Sequence, residues 1–306
     1  MKAAFSKPKR FGEILDLIFT ITKTKFKDLF MIMLVLLGPL FAFQAVIQLI
    51  FGVNFFREIE TQGSWLDQFI ESIEAGVVYD PTANYTMLNA WLVLISFVSL
   101  IFYVVAQTAV VILIKRIREQ KDYTVGEVIK EAFRRFWPVV GGTILFFLIV
   151  FGLIIVPTFV LSMISAFLIL ANETIGPFIA FIVVMGYIVF AIYLIIRWSF
   201  YFSAIVIDKE TPGLTRSWRL TKKRVWSLFG LYIVLSLIIG ILSTSVELGA
   251  VLLLGNSVLH SMIVNLSLLI STLIFSVSYA VIYYDLKIRN DADDLKELLD
   301  DYVTKD

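Results

Sequence analysis

The 306-residue chain contains no cysteine and one histidine, His260. The first absence excludes disulfides, thiolate-bound zinc and thiol nucleophiles. The second leaves His260 with no imidazole partner for a metal cluster, and no Ser–His–Asp set that the topology would gather. No catalytic residue, metal or cofactor is expected, and the chain reads as non-enzymatic. Charge is also scarce: 17% of residues are Asp, Glu, Lys or Arg, against about 25% in an ordinary soluble domain. The 26 basic and 25 acidic residues nearly cancel, so net charge names no partner and their placement becomes the informative quantity. The N-terminus also lacks a short apolar core followed by a small-residue cleavage site, so no cleavable leader is expected.

What is abundant is apolar surface, with 59% of residues hydrophobic. A helix crosses the hydrocarbon core with about 20 apolar residues. Six segments qualify: 29–52, 87–114, 139–170, 176–207, 228–254 and 261–284. The third and fourth are long enough to tilt, to project past the bilayer, or to kink at Pro157 in the third. The expected fold is all-α, a polytopic membrane protein forming one integral membrane domain over residues 1–306.

Lys and Arg alternate between the connections. Seven precede the first span, seven lie between the second and third, six between the fourth and fifth, and four follow the sixth. The first connection carries only Arg57, and the third and fifth carry none. By the positive-inside rule both termini are cytoplasmic, in the plasma membrane of a prokaryote. Arg197, at the inner end of the fourth span, is expected to snorkel to the interface.

Three related stretches precede spans: "FGEILDLIFTITKTKFKDLF" from Phe11, "VGEVIKEAFRRFWPVVGG" from Val125 and "GLTRSWRLTKKRVWSLFG" from Gly213. Aligned on Gly12, Gly126 and Gly213, each gives about 15 amphipathic residues and then a hairpin of two spans. The reading is three divergent repeats, about 8–118, 122–208 and 211–290, with a short acidic cytoplasmic tail at 291–306. In the first, Phe11, Leu15, Ile18, Thr22, Phe26 and Leu29 form a stripe. In the second, Thr124 and Glu127 form a capping box. In the third, Thr211 and Pro212 suit a helix start, with Leu214, Trp218, Val225 and Phe229 on one side and Arg216, Arg219 and Lys223 on the other.

Such helices suit the membrane surface, basic face toward headgroups. Arg134, Arg135, Arg216, Arg219, Lys222 and Lys223 are the candidates for contact with anionic inner-leaflet lipid or with a membrane or cytoplasmic protein partner. Nucleic acid is not expected, because these residues lie within a turn or two of a span, where anionic lipid is the nearer polyanion. The acidic first connection contains a second amphipathic pattern, with Ser64 and Asp67 as a capping box and Trp65, Leu66, Phe69, Ile70 and Ile73 at helical spacing. "NYT" at Asn84 and "NET" at Asn172 match glycosylation acceptors and are read as chance.

Within the spans, polar groups must find partners. Gln44, Gln48, Gln107 and Asn265 are expected to face the bundle interior, either joining helices or lining a polar path with Glu247 near its outer mouth. The second option would make the chain a transporter or permease subunit for a small or amphipathic solute.

Three motifs in order carry a family resemblance: "GEILD" at Gly12 to Asp16, Ser217 with Trp218 and Leu220, and Tyr284, Asp285, Leu286. They resemble the prokaryotic membrane-domain family named after glycerophosphoryl diester phosphodiesterase, and its six-span relatives. Lys287 stands where typical members have Arg, and the Gly often found after this ending is absent. In some members the enzyme activity belongs to a separate fused barrel, which needs about 250 residues. About 22 residues follow the sixth span here. The resemblance thus implies a membrane module without the catalytic domain.

Overall fold

The structure, a computed structural model, describes residues 7–57, 85–255 and 257–303, with side chains over the same ranges except Tyr85 and 291–303. The amphipathic pattern around Trp65 and the sequon at Asn84 lie outside the described residues. Among the described residues every regular element is helical. In chain order these are α1 (Phe11–Thr24), α2 (Phe26–Ile50), α3 (Tyr85–Glu119), α4 (Val125–Arg134), α5 (Phe136–Ala171), α6 (Gly176–Trp198), α7 (Tyr201–Ser203), a π-helical turn (Ala204–Asp208), α8 (Leu214–Leu220), α9 (Val225–Leu254) and α10 (Val258–Val303).

Six of these stretches are long and apolar enough to cross a membrane. Together they make the chain a multi-pass membrane protein. Helices are the form such apolar runs take, because hydrocarbon offers backbone N–H and C=O groups no other partner. α5 contains Pro157 and continues through it for 36 residues, about 54 Å at 1.5 Å per residue. α10 does not stop near Tyr284, and its backbone stays helical to Val303.

Each span-forming α2, α5 and α9 is preceded by a short helix, and a basic residue leaves helical geometry at each junction. Lys25 has φ −114°, Arg135 φ −100°, and Lys223 φ 66°. The left-handed Lys223 invalidates a single helical phase from Leu214 to Phe229. α8 accordingly buries Arg216, Ser217 and Leu220, while Trp218 is partly exposed. Nor does Thr211 cap α8, because the residue before the helix is Gly213 and the cap makes no side-chain hydrogen bond. Gly12 and Gly126 lie inside their helices in open space, so the three aligned glycines are not equivalent.

The chain divides into two compact units. One comprises residues 12–134 with 233–281; the other comprises 2–11, 135–232 and 282–306. In the first, α2 packs along α3, and α4 lies against α3. α3 is the most buried span, with Val110 to Ile114 all enclosed. α1 buries Ile14, Leu17, Ile18 and Ile21, whereas Phe11, Phe19 and Phe26 stay exposed. The buried stripe is thus shifted about one residue from the Phe11–Leu15–Ile18–Thr22 reading. The shift gathers four aliphatic side chains on one face and leaves the rings outside. α4 opens on the expected capping box: the Glu127 N–H donates to Thr124 Oγ1 at 3.3 Å and the Thr124 N–H to the Glu127 carboxylate at 3.4 Å. Arg116 of α3 ties α4 down through Glu127 (3.1 Å) and Glu131 (2.9 Å). Arg57 donates to the Leu252 carbonyl at 2.8 Å, satisfying a backbone acceptor at the end of α9.

In the second unit α5 and α6 form a hairpin, and α8 packs on α6. None of the most apolar stretch of α5 is buried inside the chain. A helix apolar on every side and uncovered by protein is covered by hydrocarbon in a membrane.

Candidate functional site

In the second unit several charged side chains meet near the point where the fourth span breaks. α6 ends at Trp198, the helix resumes only at Tyr201, and the π-helical turn follows. π turns inside helices often accompany functional positions. The break leaves the Phe200 N–H and the Arg197 carbonyl to find partners elsewhere. Ser217 of α8 serves both: its hydroxyl donates to the Arg197 oxygen at 2.8 Å and accepts from the Phe200 N–H at 3.0 Å. Thr221 Oγ1 adds a longer bond to the same carbonyl at 3.3 Å. Gly213 makes the approach of α8 feasible. Its φ is 78°, and a Cβ there would lie 2.4 Å from the Tyr201 carbonyl oxygen.

Asp208, the last residue of the π turn, accepts from three groups. Arg216 Nε lies 3.0 Å and the Tyr283 hydroxyl 2.7 Å from one oxygen, and Lys287 Nζ lies 2.5 Å from the other. Asp208 and Arg216 are about nine-tenths buried, and Lys287 is half-buried. Burial works against the Arg216 cation, yet the Asp208 carboxylate holds its pKa above the ordinary value. Two cations and a phenol around one carboxylate leave the cluster with a net positive charge.

Two residues before Lys287, Asp285 accepts the Lys9 backbone N–H at 2.7 Å and Arg289 Nε at 2.6 Å. Arg289 also donates to the Lys9 carbonyl. The segment before α1 is thereby held to α10 by backbone and side-chain bonds together.

Arg197 is the unusual member of this region. It is 5% exposed, enclosed by protein side chains. Its guanidinium lies 3.9 Å from the centre of the Trp218 ring and 5.8 Å from that of Tyr193. The Trp198 ring packs against Trp218, with centroids 5.7 Å apart. Arg197 Nε is buried with no hydrogen-bond partner among the described residues.

The candidates for surface contact divide. Arg134, Arg219, Lys222 and Lys223 are exposed. Arg135 is half-buried and donates to the Val206 carbonyl. Arg216 is turned inward to Asp208. Among the span residues, Asn265 donates to Gln44 at 3.2 Å and Gln48 donates to Ser261 at 3.1 Å, joining α10 to α2 in the first unit. Gln107 is half-buried. Glu247 is exposed on α9 between Val246 and Leu248, which are exposed too. Among the described residues no group of three His, Asp or Glu side chains could hold a metal ion.

Asp208, Tyr283 and Lys287 are not linked by the sequence pattern, because Tyr283 and Lys287 stand 75 and 79 residues beyond Asp208. The one local signal was an Asp ending a span with Arg216 eight residues later. Residues 29–285 match the family described as Domain of unknown function (DUF7847). The chain belongs to that family. The DUF7847 match reaches from the first span to the sixth and takes in Arg197, Asp208, Ser217, Trp218 and Asp285. No curated protein and no solved structure matches the chain. Nothing in the DUF7847 match links it to the family named after glycerophosphoryl diester phosphodiesterase.

Proposed function

We propose that this is a non-enzymatic protein of a prokaryotic plasma membrane, with both termini cytoplasmic, that associates with anionic lipid of the inner leaflet. The observation that carries the reading is the pairing of exposed cations with exposed aromatic rings where the short helices turn into spans. Arg219, Lys222, Lys223 and Arg224 lie beside Trp218 and Trp226, the latter 63% exposed. In sequence, Arg134 falls between the exposed Phe133 and Trp137, the latter 79% exposed. Rings of this kind settle at headgroup depth, and each nearby cation adds on the order of 1 kcal/mol toward an anionic leaflet. The same surface would suit an acidic partner protein, as a second occupant.

The transport reading has less behind it. Gln44, Gln48 and Asn265 form bonds between helices rather than presenting a free polar row, and Glu247 lies among exposed apolar residues.

The test is retention of phosphatidylglycerol against phosphatidylcholine by purified protein, at low and high salt. The wild type should favour phosphatidylglycerol, and Arg219→Gln/Lys222→Gln/Lys223→Gln should weaken that preference. An unchanged preference in the triple variant removes the reading.

A further inference from the structure

A buried guanidinium needs a counter-charge or acceptors to match its fork. Arg197 has neither among the described residues. Its side chain enters no ion pair there, and Nε is enclosed without an acceptor. The acid closest in sequence, Asp208, is already engaged by Arg216, Tyr283 and Lys287. Asp285 is engaged by Lys9 and Arg289. The Trp218 face at 3.9 Å and the more distant Tyr193 ring offset part of the lost hydration, and they also fix the guanidinium plane. Ser217 and Thr221 hold the Arg197 backbone from behind, so the head is placed by a rigid frame.

A flat, pre-oriented guanidinium with unmatched donors is the geometry that receives phosphate oxygens. We propose that Arg197, under Trp218, binds one phosphate group, supplied by the headgroup of an anionic phospholipid of the inner leaflet. The lipid source is favoured over free phosphate by the setting. Arg197 belongs to a segment apolar enough to span, and the partly exposed Trp218 and its neighbour Trp198 offer acyl chains an apolar wall. The proposal rests on the inner-leaflet association above and names the residue that makes one bound lipid specific.

Native mass spectrometry of the full chain, after extensive detergent exchange, tests it. The wild type should retain about one phospholipid per chain. Arg197→Gln should lose it, Arg197→Lys should retain it poorly because one ammonium cannot copy the fork, and the Arg219/Lys222/Lys223 triple Gln variant should keep it. Wild-type protein free of any phospholipid, or Arg197→Gln carrying the same lipid as the wild type, overturns the proposal. The first of these outcomes needs no variant to fold. Retention lost in the triple variant but intact in Arg197→Gln overturns this site while leaving the general association standing. In a companion titration, phosphatidylglycerol micelles should change the tryptophan fluorescence of the wild type more than that of Trp218→Phe, in which the exposed Trp137 and Trp226 still respond; an equal change in the two would count against the site. The change should not be reproduced by inorganic phosphate; if phosphate alone reproduces it, the lipid source is wrong.

Discussion

Ser217 stands in for a missing turn of helix at Arg197, since one hydroxyl donates to the Arg197 carbonyl and accepts from the Phe200 N–H. Both bonds are buried, so no water replaces them on truncation. Ser217→Ala should therefore cost about 1–3 kcal/mol, the desolvation cost of a buried backbone group left unpaired. The check is a thermal shift in detergent, where the variant should melt several degrees lower. Ser217→Thr, which keeps the hydroxyl, should lose less. An unchanged melting temperature for Ser217→Ala would mean the break is held by other bonds.

This relationship marks the limit of what the sequence discloses. The starts of α2, α3, α5 and α9 lie within three residues of the apolar runs that announce them, because the bilayer fixes span length and hydrocarbon fixes helix as the form. The capping box at Thr124 was equally visible, being a contact between residues three apart. The sequence predicts the fourth span as one helix to residue 207, since nothing in "IIRWSFYFSAIVID" is a breaker. What interrupts it is Ser217, seventeen residues on, and such a tertiary substitute leaves no local signal. The enclosure of Arg197 is hidden for a related reason: depth along the span says nothing of α8, which brings Trp218 over the guanidinium.

The Asp208 cluster supports a second prediction. Asp208 is the only carboxylate holding Arg216 among the described residues, and both are about nine-tenths buried. Asp208→Asn keeps the shape but leaves Arg216 and the half-buried Lys287 uncompensated. Removing one member of a buried pair costs about 3–5 kcal/mol, and removing both costs less. Asp208→Asn should be severely destabilised, and Asp208→Asn/Arg216→Met should recover part of the loss. Denaturation in a mixed-micelle titration gives the cycle. A double variant no better than the single would show that Arg216 matters for packing rather than for charge.

Gly213 gives a third. A methyl group there meets the Tyr201 carbonyl, a backbone atom that cannot swing aside, and the backbone is left-handed as well. Gly213→Ala should lift α8 from the break, lowering thermal stability and exposing the Arg197–Trp218 stack. Gly126→Ala serves as the contrast, because its site is open and helical and alanine is the better helix former. Tryptophan quenching by acrylamide should rise in the first variant and not in the second. Equal behaviour of the two would contradict the close approach of α8 to Tyr201.

Orientation supplies the last prediction, and the absence of cysteine makes it clean to test. Single cysteines can be placed without removing any native thiol. Lys222 is exposed in the turn between α8 and α9, and Glu173 is exposed in the turn between α5 and α6. One long apolar helix, α5, separates the Glu173 turn from Arg135, and the basic residues cluster at only one of its ends. If both termini are cytoplasmic, a membrane-impermeant maleimide applied to intact cells should label Glu173→Cys and leave Lys222→Cys untouched until the cells are opened. The reverse pattern would place the exposed basic residues at the span starts outside, away from the anionic leaflet, and would remove the electrostatic reason for lipid association altogether. Labelling of both sites in intact cells would break the six-crossing topology, because the one span-length segment between them, Gly176–Asp208, would then fail to separate them. The assignment therefore stands or falls on two surface residues that play no part in the buried cluster, and neither substitution should disturb its packing.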